Sequence, residues 1–357
     1  VSQACSSCLG RSQLIGELAP AIDTALERRP ALGAEVLGLD DSALRSAFGS
    51  VQESRGMERA TVTGVEAVCR HSKRFPQALL ELEARGLDTP AAIFVAGGLD
   101  RLENVLDGPA VTIVGGRKAS GYALDTAYGL GRSLAAAGIT VISGLALGVD
   151  AAAHRGALDG GGSPLAVVAS GADVAYPRTN RALRDRVVEE GVVISEMPPG
   201  SPAFRWAFPA RNRIMAALGA MTIVVECRAR SGSLITVRCA EKLQRVVGAV
   251  PGRIDSRLAE GSNGLIREGV QVITGASAVL DELFGVEMGP DGPRGAAIEL
   301  DPTLGEVLDL AVAGSSPSAI GAELDLAPGR VRAMLGELEL RGLIARDRLG
   351  GWSLRQQ

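Results

Sequence analysis

Between Phe75 and about Gly285 the chain repeats one pattern: a short continuous run of apolar or β-branched residues, a glycine-rich break, then a longer stretch with apolar positions at helical spacing. The short runs fall at residues 92–96, 111–114, 140–142, 165–169, 192–194, 221–226, 246–250 and 270–273. Continuous rather than alternating hydrophobicity marks strands buried on both faces. The pattern therefore predicts a Rossmann-like α/β fold, a doubly wound and mainly parallel sheet. Ligands of such sheets sit beyond the carboxyl ends of the strands, so chemistry is expected in the loops that follow them.

The flanks read differently. Residues 1–74 show helical patterning at 13–27, 34–37 and 41–48, the last behind the cap signals Asp40-Asp41-Ser42, and predict a small N-terminal helical domain. The sheet domain is expected over 75–286 and a Gly/Pro-rich linker over 287–299. Residues 300–357 predict helices at 303–313, 318–324 and 329–341, then a hairpin around Gly350-Gly351, which is the order of a winged helix. Its third helix mixes Arg330, Arg332 and Arg341 with Glu337 and Glu339, so protein contact or weak DNA contact is as well supported as major-groove reading.

The loop after the run at 111–114 is Gly115-Gly116-Arg117-Lys118-Ala119-Ser120-Gly121. Glycines between a buried strand and a helix can turn backbone N–H groups towards a phosphate, and two cations add to that; the same residues also suit a plain tight βα turn. The other post-strand loops are Ser143-Gly144-Leu145-Ala146-Leu147-Gly148-Val149-Asp150, Ser170-Gly171-Ala172-Asp173 running on to Tyr176-Pro177-Arg178, and Arg228-Ala229-Arg230-Ser231-Gly232-Ser233. Ser231, Gly232 and Ser233 precede a helix and resemble a second anion site.

Charge adds to this picture. The net charge is −4, yet residues 205–245 carry eight Lys/Arg against two Glu. Phe204, Trp206 and Phe208 place three of the chain's eleven aromatic residues beside Arg205, Arg211 and Arg213. Cations that follow phosphates and rings that stack on bases are what single-stranded nucleic acid requires. The competing reading has these rings anchoring a loop on the core while the arginines cap helices. Asp150 and His154, one helical turn apart, suit a structural hydrogen bond more readily than general acid–base work, and no catalytic residue is expected.

With 46% hydrophobic and 22% charged residues, and no apolar run of membrane-spanning length or secretory signal pattern, the chain reads as cytoplasmic without a membrane partner. Its five cysteines form no disulfide framework. Cys5-x-x-Cys8 and Cys69-x-His71 together supply four ligands of the kind that closes a tetrahedral zinc site, provided the two halves meet; otherwise they are unrelated thiols.

The ordered motifs Val-Gly-Gly-Arg-Lys-Ala-Ser-Gly-Tyr, Ser-Gly-Leu-Ala-Leu-Gly-Val-Asp-Ala-Ala-Ala-His, Tyr-Pro-Arg-Thr-Asn, Ser-Glu-Met-Pro-Pro-Gly, Phe-Pro-Ala-Arg-Asn-Arg-Ile, Ser-Gly-Ser-Leu-Ile-Thr and Val-Pro-Gly closely resemble the DNA-processing protein A family (DprA, also called Smf) over residues 75–285. The resemblance implies a homodimeric binder of single-stranded DNA that helps load RecA recombinase, with no cofactor. It places phosphate at Gly115, Gly116 and Arg117, a basic pocket at Arg211 and Arg213, a stacking ring at Phe208 and a second loop at Ser231, Gly232 and Ser233. Lys118, Ser120, Gly144 and Asn212 complete the expected DNA-binding set. One departure stands out: Leu147 occupies a position where the family usually has arginine, which implies weaker or differently shaped phosphate binding there.

Two other functions compete. A nucleotide-processing enzyme of the phosphoribohydrolase type would need a carboxylate where the rough alignment has Arg238, a charge that opposes an oxocarbenium-like transition state. A ligand-sensing transcription regulator is weakened by the mixed charge of the third C-terminal helix. A dinucleotide site lacks its Gly-x-Gly-x-x-Gly spacing and its ribose-binding acid, since Ile142 runs into Ser143-Gly144.

Overall fold

The computed structural model describes residues 3–48, 64–284, 302–312, 315–340, 344–346 and 352–354. They form two compact units, Val1–Glu287 and Met288–Gln357. The first contains a nine-stranded sheet: β1 (Val65–Cys69), β2 (Ala92–Ala96), β3 (Ala110–Val114), β4 (Thr140–Ser143), β5 (Leu165–Val167), β6 (Val192–Ser195), β7 (Met221–Val224), β8 (Val246–Ala249) and β9 (Gln271–Val272). The spatial order is β1-β2-β6-β5-β4-β3-β7-β8-β9. All pairings from β6 to β9 are parallel, whereas β2 runs antiparallel to both β1 and β6.

The strand residues divide between two cores. Val111 and Ile113 pack with helices Gly121–Ala136 and Val149–Asp159, while Ala110 and Val114 pack with helices Ala207–Leu218 and Ser233–Lys242. Burial on both faces is why these strands read as unbroken apolar runs. The one polar side chain in the middle of β3, Thr112, is fully buried and donates from Oγ1 to the Met215 carbonyl at 2.8 Å, tying β3 to helix Ala207–Leu218.

Residues 1–74 were expected to be helical, and the structure corrects this in two respects. The segment contributes β1 to the sheet. Its helices also lie in the same compact unit as the sheet: Leu14, Ile15, Leu18, Ala19 and Ile22 of helix Ser6–Ala25 enclose Trp206, whose indole Nε1 donates to the Ala19 carbonyl at 3.2 Å. Trp206 is fully buried, so it serves this packing and cannot stack on a nucleobase.

Arg213 is also corrected. Its side chain is buried, donating from Nη2 to both Glu196 oxygens at 2.8 Å, from Nη1 to the Ala210 carbonyl at 2.6 Å and from Nε to the Asp88 carbonyl at 2.7 Å. With each nitrogen bonded inside the protein and the side chain buried, Arg213 is turned away from any phosphate in solvent.

The second unit contains helices Pro302–Val312, Pro317–Glu323 and Pro328–Leu340 and an antiparallel pair, Ile344–Arg346 with Trp352–Leu354, around a core that includes Leu304, Val307, Ile320, Val331 and Leu335. The expected linker at 287–299 lies outside the described residues. Among the described residues no helix is long and apolar enough to cross a membrane.

The buried Arg213–Glu196 pair yields a stability prediction. Removing one partner strands the other charge, so Arg213→Ala should cost about 3–5 kcal/mol in urea unfolding. The double variant Arg213→Ala, Glu196→Gln should be more stable than Arg213→Ala alone; equal losses would show that lost packing volume, not the stranded charge, dominates.

Candidate nucleic-acid interface

The order of the sheet determines where a cleft can form. From β3 the chain adds β4, β5 and β6 on one side, then returns to place β7 on the other. The loops leaving the carboxyl ends of β3 and β7 therefore diverge, as at the ligand crevice of doubly wound sheets. A cleft of about 440 Å³ opens there, lined by the glycine turn Gly115 to Lys118, by Phe208, Arg211 and Asn212, and by Arg228, Arg230, Ser231, Gly232 and Ser233.

Hydrogen bonds bolt the two loops together. The Gly116 N–H donates to the Glu226 carbonyl at 2.6 Å, and the Ser120 N–H and hydroxyl donate to the two Glu226 carboxylate oxygens at 2.8 Å each. The same hydroxyl accepts the Ala123 N–H at 3.2 Å and caps helix Gly121–Ala136. Those groups of Gly116 and Ser120 are thus committed within the protein, which corrects their expected role as phosphate donors. Among the described residues, the amides of Arg117 and Lys118 have no protein partner.

The second loop is used in a similar way. Ser233 donates from Oγ to the Gly115 carbonyl at 2.7 Å, and Ser231 donates from Oγ to Ser233 Oγ at 3.1 Å. The Ser233 hydroxyl brackets the two loops and the Ser231 hydroxyl supports it from within its own loop, so neither is a free donor. Gly232 holds the N-cap position of helix Ser233–Lys242 without a side-chain cap, leaving the dipole of that helix end directed at the cleft.

Helix Ala207–Leu218 provides the floor. Arg211 donates from Nε to Asn212 Oδ1 at 3.2 Å and from Nη1 to the Val167 carbonyl, and Asn212 Nδ2 donates to the Gly232 carbonyl at 3.1 Å. The guanidinium lies against Gly144, where a Cβ would overlap it; Gly144 therefore acts by making room for Arg211. Burial draws the Arg211 pKa down to about 10, opposed by the nearby Asp150, and Arg211 still keeps its charge at neutral pH. Burial likewise pushes the Asp150 carboxyl up, against the pull of Arg211.

His154 is fully buried, and neither ring nitrogen has a partner in hydrogen-bond geometry among the described residues. Burial lowers its pKa to about 3, so the ring is neutral. The expected Asp150–His154 hydrogen bond does not form.

At the rim, the Arg117 guanidinium carbon sits 4.6 Å from the Phe208 ring centroid, a cation–π distance, and the Tyr176 ring lies 5.4 Å from the same centroid. Phe208 is half-buried between them. Tyr176 is 46% exposed, and so is Leu147 beside it. Arg117, Lys118, Arg228 and Arg230 have no ion-pair partner among the described residues, unlike Arg74, Arg186 and Arg253 elsewhere on the surface. Tyr176, Arg228 and Arg230 were absent from the expected set, although their places in post-strand loops could have pointed to them.

A model of the family described as DNA recombination-mediator protein A matches residues 66–284. A DprA-type relative from Mycobacterium tuberculosis is 37% identical over 250 residues, covering 69% of this chain and 64% of the relative's own length. The crystal structure of DNA processing protein A from Streptococcus pneumoniae superposes with a TM-score of 0.61 at 31% identity, over 77% of this chain and 96% of that one. DNA processing protein A from Helicobacter pylori, whose structure concerns its single-stranded DNA binding mode, superposes with a TM-score of 0.55 at 26% identity over 63% of this chain and 98% of that one. The protein thus belongs to the DNA recombination-mediator protein A family.

Proposed function

We propose that this chain binds single-stranded DNA along the carboxyl edge of its sheet, without base specificity, and delivers it to RecA recombinase as a homodimer. The observation that carries the DNA reading is the set of four unpaired cations, Arg117, Lys118, Arg228 and Arg230, around a cleft with Arg211 in its floor and an exposed Tyr176 at its rim. Cations would track phosphates while the ring stacks on a base, a combination tolerant of sequence. The single-strand binding of the Helicobacter pylori relative supports the same reading. RecA delivery and dimerisation rest on family membership alone. The second unit, with its three helices and strand pair, is read as a winged helix that makes protein contacts or weak DNA contacts.

The arrangement favours binding over catalysis. The Glu226 carboxylate is held by Ser120, Asp150 is buried beside Arg211, and Arg238 is exposed outside the cleft lining. Among the described residues, no unengaged carboxylate lines the cleft where a ribose would react.

Fluorescence anisotropy with labelled oligo-dT tests the proposal. Log K should fall linearly with log[salt] at a slope of about −0.7 per phosphate contacted. Arg117→Ala should weaken binding to all sequences by about tenfold and make the slope shallower by about 0.7, one phosphate contact fewer. Tight duplex binding with indifference to single strands would sink the reading. Tyr176→Ala should lose about 1–3 kcal/mol of affinity with the salt slope unchanged, because stacking releases no counterions. Leu147→Arg, which adds a cation beside Tyr176, should tighten binding and steepen the slope; weaker binding would mean that the cleft is already electrostatically saturated.

A further inference from the structure

Away from the cleft, four soft or borderline ligands converge at the edge of the sheet. Cys5 is the N-cap residue of helix Ser6–Ala25 and Cys8 lies in its first turn, whereas Cys69 ends β1 and His71 follows in the next turn. More than sixty residues separate the two pairs along the chain. Their ligand atoms nevertheless all lie within 4.8 Å of one another. The Cys5 and Cys8 sulfurs are each 3.4 Å from His71 Nδ1.

We infer that Cys5, Cys8, Cys69 and His71 form a structural zinc site that staples the N-terminal helix to the edge of the sheet. A tetrahedral zinc with Zn–S of about 2.3 Å and Zn–N of about 2.0 Å sets ligand atoms about 3.5–3.8 Å apart, and the cluster needs only small side-chain adjustments to reach that spacing. Three sulfurs and one imidazole suit zinc, and four protein ligands leave no open position for a substrate.

The surroundings fit a thiolate-rich centre. The Cys5 N–H donates to Cys69 Sγ at 3.4 Å, the kind of backbone bond that steadies a metal-bound sulfur. Cys8 and Cys69 are buried, while Cys5 and His71 face solvent, so the metal has an entry path and a packed base. A Cys5–Cys8 disulfide would join residues three apart and would leave the convergence of Cys69 and His71 without a purpose. All five cysteines are free thiols in the structure, and the other two, Cys227 and Cys239, lie outside the cluster.

The clamp would act where the polypeptide already makes a light contact. Gln3 bridges to Val68 of β1, and its N–H donates to the Ala67 carbonyl at 2.8 Å. Helix Ser6–Ala25 continues from there to enclose Trp206, two positions before Phe208. Zinc is therefore expected to govern stability, with little effect on DNA affinity while the protein stays folded.

Metal analysis of the full chain, purified without a metal-binding tag, provides the test. The expected result is close to one zinc per chain. Cys69→Ser and His71→Ala should each lose more than about tenfold in zinc affinity, whereas Cys239→Ser should retain the metal. If the ligand variants are insoluble, the unmodified protein still decides the matter. Mercurial titration of its thiols should release zinc stoichiometrically, and cobalt(II) exchanged into the site should show thiolate charge-transfer and tetrahedral d–d bands. Chelation should lower the melting temperature by several degrees and leave oligo-dT affinity unchanged below it. Trace zinc with an octahedral cobalt spectrum, bound iron, or equal zinc loss from Cys239→Ser would each overturn the inference.

Discussion

The architecture around the cleft depends on a buried ion pair. Arg213 and Glu196 join helix Ala207–Leu218 to the loop after β6, and the remaining guanidinium nitrogens hold the Asp88 and Ala210 carbonyls. A buried guanidinium needs a carboxylate and hydrogen-bond partners, and here each of its three nitrogens has at least one. The result is a helix fixed at its root, two residues from Arg211 and five from Phe208. Arg211, on the same helix, lies over Gly144, and the nearby Asp150 helps it keep its charge at neutral pH.

Around that fixed helix the loops follow a strict economy of hydrogen bonds. Glu226 takes the amide and hydroxyl of Ser120, and Ser233 takes the carbonyl of Gly115. Groups that looked available for an anion are consumed in holding the crevice to shape. Those left over are side-chain cations and the amides of Arg117 and Lys118. Such a site offers charge at many points and shape at few, which suits a polymer backbone better than one small molecule.

The sequence was most informative where burial imposes a simple rule. Strands covered on both faces, such as β3 and β7, read as unbroken runs of apolar or β-branched residues, and the loops after them could be located directly. β1 lacks that signature because an edge strand is under a weaker rule: Glu66 sits inside it and turns a carboxylate to the Leu99 N–H. The arginines show the same limit from the other direction. Arg211 and Arg213 are two positions apart in one helix, yet one floors the cleft and the other is buried with Glu196. Local sequence cannot separate them, because the difference lies in a carboxylate supplied from another loop. Trp206 and Phe208 diverge in the same way, one facing the N-terminal helix and the other the cleft.

The single bridge between Gln3 and Val68 bears on how a nine-stranded sheet stays solitary. An open sheet ends in two rows of unpaired peptide groups, which invite a second chain to add its own strand. At the far end β9 is only two residues long, too short to template another strand. At the near end Gln3 occupies a pairing position on β1, after which the chain turns away into a helix. Among the described residues neither border offers a long unsatisfied ladder, so the sheet can grow wide enough to support a cleft without also becoming a seed for aggregation.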